Sequence, residues 1–200
     1  MKSYLSIVFA LFLSLQALSQ DAEIINPKHS LFFTAEAGTN TITSFKLGEN
    51  KTSLQGGIGA EYYFAKQWST TIRVKYFATG LSYRSGGEFY RFEGKVISVP
   101  INIKWEHRIV KNLRGNLKLG IAFNKELESD YDYPEAYIGA DKFFVSFNPG
   151  FGFNYFVNKN MGLYLNYEAF VLGNERGTND WIGPIPPHAT NNSQVNVGVK

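Results

Sequence analysis

The chain contains no cysteine, which excludes disulfides, thiol nucleophiles and thiolate metal sites, and argues against a lipidated N-terminal cysteine. Histidine is scarce, with three in the chain, at His29, His107 and His188. No apolar run reaches the roughly 20 residues of a spanning helix. Charge of one sign is lacking too. The formal net charge is +3, and Lys and Arg are scattered rather than clustered, so a nucleic-acid partner is not expected.

What is abundant is aromatic: 16% of residues, almost all Phe and Tyr, at a mean hydropathy of −0.19. Such a chain must sort its apolar residues by position. The first residues read as an export signal. Lys2 supplies a positive start, Tyr4 to Leu15 an apolar stretch, and Ala17-Leu18-Ser19 a small-residue cleavage site before Gln20. Residues 1–19 are therefore expected to be a signal peptide and 20–200 a single domain.

Beyond the signal no helix period appears, and period-two alternation recurs. Trp68, Thr70, Ile72, Val74, Tyr76 and Ala78 share one face; Ser69, Thr71, Arg73 and Lys75 take the other. Ile97, Val99, Ile101, Ile103 and Trp105 oppose Ser98, Asn102, Lys104 and Glu106. The same sorting runs over Leu113–Phe123, Phe143–Tyr155 and Met161–Val171, and more weakly over Leu31–Thr39, Leu54–Phe64 and Ser193–Lys200. Connections alternate between short turns (Ala65–Gln67, His107–Asn112, Val157–Asn160) and longer loops (Asn40–Ser53, Gly80–Tyr90, Lys125–Lys142, Gly173–Asn192). The pattern predicts an all-β fold, an eight-stranded antiparallel up-and-down transmembrane β-barrel. A strand of about 11 residues tilted about 40° projects roughly 28 Å, which suits an apolar band about 25 Å tall.

Alternation alone does not say which face meets lipid, since a soluble lipocalin-like barrel binding an apolar ligand has the same period with an apolar interior. Arg73 and Lys118 lie near the middle of their strands, where facing lipid would cost each about 2–4 kcal/mol. In a membrane they must turn inward. The expected lumen charge network is Glu61, Arg73, Lys75, Lys104, Arg114, Lys118 and Glu168, with Glu61 diagonal to Arg73 across a turn. Gly150 and Gly152 are expected to leave room beside Glu168, Asn166 and Tyr164. An eight-stranded barrel has an interior just wide enough for side chains, so the lumen is expected to be plugged. Phe64, Trp68, Trp105 and Tyr155 fall beside the short turns; Tyr76, Phe123, Phe143 and Tyr167 fall towards the long loops. The aromatic girdle is expected at Trp68, Trp105, Tyr155, Tyr76 and Tyr167. Pro100, which deletes a ladder donor, is expected to sit in a bulge.

Ile97–Ile109, ISVPINIKWEHRI, and Gly150–Tyr167, GFGFNYFVNKNMGLYLNY with Asn158 and Lys159 in its turn, resemble the small outer-membrane β-barrel proteins widespread in Bacteroidota, which are themselves similar to OmpA-type and OmpX-type barrels. The similarity spans nearly the whole mature chain. It implies an outer-membrane fold in the porin-like class and an often unassigned role. Such barrels usually end on an aromatic residue, whereas this chain stops at Lys200. Either the last strand is cut short or that targeting signal is degenerate.

No catalytic, cofactor or metal residues emerge. A hydrolase needs base, nucleophile and carboxylate at one spot, and only His188 with Ser193 comes near. The acidic run Glu126–Glu135 lacks the spacing and glycine of a calcium loop; it reads as a solvated loop. Trp181 and Pro184–Pro187 offer a contact surface with it. The expected function is a non-enzymatic outer-membrane barrel serving envelope structure or loop-mediated adhesion. Alternatives are a lipid-modifying enzyme or secretion-system accessory, and the soluble barrel above. Expected partners are outer-membrane lipid and a protein or glycan at the long loops, with the chain a monomer. Heat-dependent gel mobility separates membrane from soluble barrel: the folded chain should migrate anomalously until boiled, and unchanged mobility on boiling would favour the soluble form.

Overall fold

The computed structural model describes residues 25–43, 48–85, 88–132, 143–171 and 191–200. Ten strand segments follow in chain order: β1 Leu31–Thr43, β2 Gly48–Asn50, β3 Thr52–Tyr63, β4 Trp68–Ser85, β5 Glu88–Val110, β6 Leu113–Asp132, β7 Phe143–Phe147, β8 Gly150–Asn158, β9 Met161–Phe170 and β10 Asn191–Val199. All pairings are antiparallel. β7 and β8 are halves of one strand: Phe147 faces Ile121 and Gly150 faces Lys118 in one unbroken register along β6. The break falls at Asn148-Pro149, because proline has no N–H to give the ladder. Asn148 repairs the gap, its side-chain amide donating to the Ala169 carbonyl at 2.8 Å. β2 and β3 likewise form one strand interrupted at Lys51. Eight barrel strands result, and the ring closes through β1 with β10 and β4 with β5. Closure leaves no sheet edge in the spanning region.

The alternation of the sequence becomes an inverted barrel. Leu31, Phe33, Ile58, Ile72, Val74, Ile103, Leu117, Leu119, Phe151, Leu165 and Val197 are exposed on the outer wall. Their neighbours Thr34, Glu36, Glu61, Arg73, Lys75, Asn102, Lys104, Asn116, Lys118, Asn166, Glu168 and Asn196 are buried within. An apolar exterior around a polar interior is the reverse of a lipocalin-like barrel, so the geometry overturns that soluble alternative.

Two further expectations are corrected. Gly80–Tyr90 and Lys125–Asp132, expected as loops, are largely strand: Tyr83 pairs with Tyr90, Arg84 with Phe89, Glu93 with Asp130 and Arg91 with Asp132. Leu81 faces Phe92 and Tyr83 faces Tyr90, alternating with Ser82 opposite Arg91 and Glu93 opposite Asp130, so the period of two continues into the extension, where Gly80, Gly94 and the dense charge made it read as loop. The second correction concerns Pro100. Ile72 faces Ile101 and Lys75 faces Ser98 in the same register, and only the rungs between them are missing. The lost donor thus removes hydrogen bonds towards β4 without adding a residue, and Pro100 keeps Ala122 as its partner on β6. The register shifts of this pair lie instead at Lys95–Val96, where the extra residue is Leu127 of β6, and between Arg108 and Val110, where it is Ile109 of β5.

Inward glycines make space for the long polar side chains. A Cβ on Gly150 would stand 2.5 Å from Lys118 Cε and 3.1 Å from Glu168 Cβ. One on Gly152 would stand 2.1 Å from Asn166 Oδ1 and 2.2 Å from the Leu165 carbonyl oxygen. Gly59 does the same for Arg73, with 2.6 Å to its Cγ. Gly56, facing outward, has its nearest neighbour at 3.7 Å. Gly152→Val should therefore lower stability by about 1–3 kcal/mol, while Gly56→Val should stay within about 0.5 kcal/mol. Urea midpoints of the refolded barrel, read by gel shift, check this; equal effects would contradict it.

Candidate functional site

Period-two geometry sends every second residue of eight strands into one lumen. With this many charges there, geometry decides stability, because an enclosed charge must be paired and hydrogen-bonded. The lumen meets that demand in two groups.

The first surrounds Glu168 of β9. Arg73 donates to it at 3.1 and 2.7 Å, Lys118 at 2.7 Å and the Asn196 amide at 2.7 Å, and Lys75 forms a further ion pair. Glu36 of β1 takes Lys75 at 2.7 Å and Arg73 at 3.3 Å, and accepts the Tyr164 hydroxyl at 3.0 Å. Arg73 also donates to Asn102 Oδ1 at 3.0 Å. These residues come from strands on all sides of the barrel, so the contacts cross its axis.

The second group lies nearer the short turns. Glu61 of β3 accepts the Ser69 hydroxyl at 2.6 Å, pairs with Lys200 at 3.0 Å and pairs closely with Lys104. Glu106 of β5 holds Lys104 at 2.9 Å and accepts the Tyr63 hydroxyl at 2.6 Å. Arg114 lies 3.6 Å from Glu106 and donates to the backbone carbonyls of Lys66 at 3.0 Å and Ile25 at 2.6 Å. Phe32, Tyr63 and Phe156 meet edge to face below, with centroids 5.9–6.3 Å apart. The Lys200 ammonium sits over all three rings at 4.7–5.7 Å. Between the two groups lies a cavity of about 20 Å³ lined by residues of both, among them Glu36, Glu61, Arg73, Lys104 and Lys118. It has room for a water molecule or so.

All seven residues read from the sequence as a lumen network, Glu61, Arg73, Lys75, Lys104, Arg114, Lys118 and Glu168, are buried. The pairing within it differs from expectation. Glu61 does not pair with Arg73: it faces Thr71 in the ladder and turns to Lys104 and Lys200, while Arg73 reaches Glu36 and Glu168. Partners across a narrow lumen outcompete the diagonal neighbour within the sheet. Sequence reading also left Glu36, Glu106 and Lys200 out of the network, although it places Glu106 on the polar face with Lys104. Glu36 sits among Ala35, Ala37 and Gly38, which mark no apolar face, although its parity with Thr34 and Asn40 places it inward. Glu106 has the parity of Lys104, and Lys200 that of Asn196.

Of the girdle residues, Trp68, Tyr76 and Tyr167 are exposed on the outer wall, and Trp105 and Tyr155 are half-buried there. Trp68 and Trp105 are ladder partners. Phe123 and Phe143 stack at 6.4 Å towards the other end. Trp68 and Tyr76, eight residues apart on β4, are separated by about 20 Å along the axis.

Above the spanning part, exposed pairs gather on the ribbon of β4, β5 and β6: Lys51, from between β2 and β3, with Glu93 at 2.7 Å, Arg91 with Glu93 at 2.6 Å and Lys95 with Glu128 at 2.5 Å. Hydrogen bonds from Lys51 and Arg91 hold the Glu93 carboxyl below the usual range, and one to Glu128 raises the Lys95 ammonium. Among the described residues no cluster of His, Asp and Glu could hold a metal ion. Ser193 is half-buried, its hydroxyl donating weakly to the Thr41 carbonyl at 3.4 Å; His188, Trp181 and Pro184–Pro187 lie outside the described residues. His107 stacks on Trp105 at 5.9 Å, and His29 adopts a left-handed φ of 65° in a turn.

Glu168→Gln removes the anion shared by three buried cations and should destabilise the barrel by about 3–5 kcal/mol. Glu93→Gln on the exposed ribbon should cost about 0–1 kcal/mol. Adding Lys118→Met to Glu168→Gln should recover part of the loss, a coupling that a double-mutant cycle on urea midpoints measures. Strict additivity would contradict the network.

Solved structures with this fold include Neisserial surface protein A, 16% identical, with a TM-score of 0.55 over 84% of this chain and 94% of that one. Ail, the attachment invasion locus protein of Yersinia pestis, is 11% identical, with a TM-score of 0.50 over 86% of this chain and 97% of that one. No curated protein sequence matches the chain. The family model of the outer membrane protein beta-barrel domain matches residues 5–200, and with its closed eight-stranded wall and inward charges the chain belongs to that family of outer-membrane barrels.

Proposed function

We propose that this protein is a non-enzymatic, monomeric outer-membrane barrel whose lumen is closed to solutes, and that it works through its ends rather than through its interior. The observation that carries this reading is the pair of charge groups meeting across the axis. Glu168 alone engages side chains from β4, β6 and β10. Opening a path would strip those ions of their partners, at several kcal/mol for each buried pair broken.

The proposed role is envelope structure together with recognition of a protein or glycan at the long-loop end. Support comes from the ribbon of β4, β5 and β6, which continues past the spanning region and displays charged side chains on a rigid scaffold. Ail, which shares the fold, is named for attachment and invasion. Export through a signal peptide ending at Ser19, and a Bacteroidota source, belong to the same reading.

In planar bilayers the folded protein should give no large stepwise conductance. Well-resolved unitary openings comparable with those of a general porin would overturn the closed lumen. Cross-linking from the long-loop end in intact cells should capture envelope or surface components, while capture of periplasmic components alone would overturn the role given to that end.

A further inference from the structure

Each short connection and the turn leading into β1 carry an exposed cation. Lys28 stands in the turn before β1, Lys66 between β3 and β4, Arg108 beside the β5–β6 turn, and Lys159 between β8 and β9. Among the described residues of this end no exposed Asp or Glu accompanies them, for Glu106, the nearest acid in the sequence, is buried in the lumen. Asp21 and Glu23 precede β1 in sequence, outside the described residues, and would still leave the cations in excess. The opposite end is of mixed sign, and Lys51, Arg91 and Lys95 there are bound to Glu93 and Glu128.

Position gives this charge a meaning. Lys66 stands between Phe64 and Trp68, Arg108 three residues beyond Trp105 and Lys159 four beyond Tyr155, and these outward aromatics mark the interface between hydrocarbon and water. Cations there stand at the depth of lipid headgroups, on long side chains able to reach sideways to them. The turns are short, and a four-residue segment spans at most about 14 Å, so they do not extend towards distant structures. Whatever binds the ring must come to the membrane surface.

We propose that the short-turn end is a binding surface for the phosphate groups of anionic lipids in the leaflet it faces. Distributed around the circumference, the cations would enrich such lipids at the barrel wall and fix its depth in the bilayer. Attraction between surface charges of this kind is screened within about 8 Å at physiological ionic strength.

The test uses the full chain refolded into phosphatidylcholine bilayers containing trace spin-labelled phosphatidylglycerol or spin-labelled phosphatidylcholine. Electron spin resonance then reads the fraction of each lipid immobilised at the protein. Wild type should prefer the anionic lipid by about twofold or more, and 0.5 M NaCl, added as about a tenfold rise in ionic strength, should abolish the preference. The variant Lys28→Gln, Lys66→Gln, Arg108→Gln, Lys159→Gln should lose it, whereas Lys51→Gln, Lys95→Gln, Lys125→Gln should keep it. Should the fourfold variant fail to show a heat-modifiable band, the Lys66→Gln, Lys159→Gln pair and the wild-type salt titration decide. Equal association of both lipids with wild type, or a preference that survives salt and substitution, would overturn the proposal. So would retention on isolated peptidoglycan without any headgroup preference, which would assign the ring to the cell wall.

Discussion

The structure depends on the enclosure of Glu168 by Arg73, Lys75, Lys118 and Asn196. Charges placed at mid-strand must leave the lipid, and once enclosed they must find partners. Most other features of the barrel serve that requirement. Gly59, Gly150 and Gly152 give up their side chains where Arg73, Lys118 and Asn166 need the volume. Asn102, Asn196 and Tyr164 supply the hydrogen bonds that the ion pairs leave open. The apolar residues of the same strands are left with one direction to face. The outer wall is thus a consequence of the lumen as much as of its own hydrophobicity.

The two ends of the barrel solve different problems. At the short turns an aromatic trio of Phe32, Tyr63 and Phe156 closes beneath Lys104, Arg114 and Lys200, while the turns themselves carry cations outward. At the other end β4, β5 and β6 run on as a ribbon whose charges pair across its own rungs. On the proposed reading, one end sits at a membrane surface and the other projects from it. The ion pairs around Glu168 lie between these ends, while those of Lys104 and Lys200 help close the short-turn end.

Much of this was legible in the residues because a barrel wall imposes a strict period of two. Trp68–Ala78 and Ile97–Trp105 announce their faces, and the parity of Arg73 or Lys118 then assigns it to the lumen. What was not legible falls into two kinds. Parity places a side chain inside but does not name its partner, which is chosen by residues arriving from the far wall; hence Glu61 meets Lys104 and Lys200 rather than Arg73. The strand extensions at Gly80–Ser85 and Lys125–Asp132 were hidden because their glycines and dense charge read as loop, although Leu81, Tyr83, Tyr90 and Phe92 keep the period of two. Pro100 misled for a related reason: a missing N–H can be tolerated as a missing rung, and a bulge is only one way to accommodate it.

The inside–outside assignment is open to direct measurement, helped by the absence of native cysteine. Single substitutions Ile72→Cys, Val74→Cys and Val197→Cys on the outer wall, and Thr71→Cys and Asn116→Cys in the lumen, can each carry a small fluorophore in bilayers of lipid brominated along the acyl chain. The account predicts strong quenching for the first three and little for the last two. Equal quenching of both sets, or quenching of the lumen set alone, would contradict it.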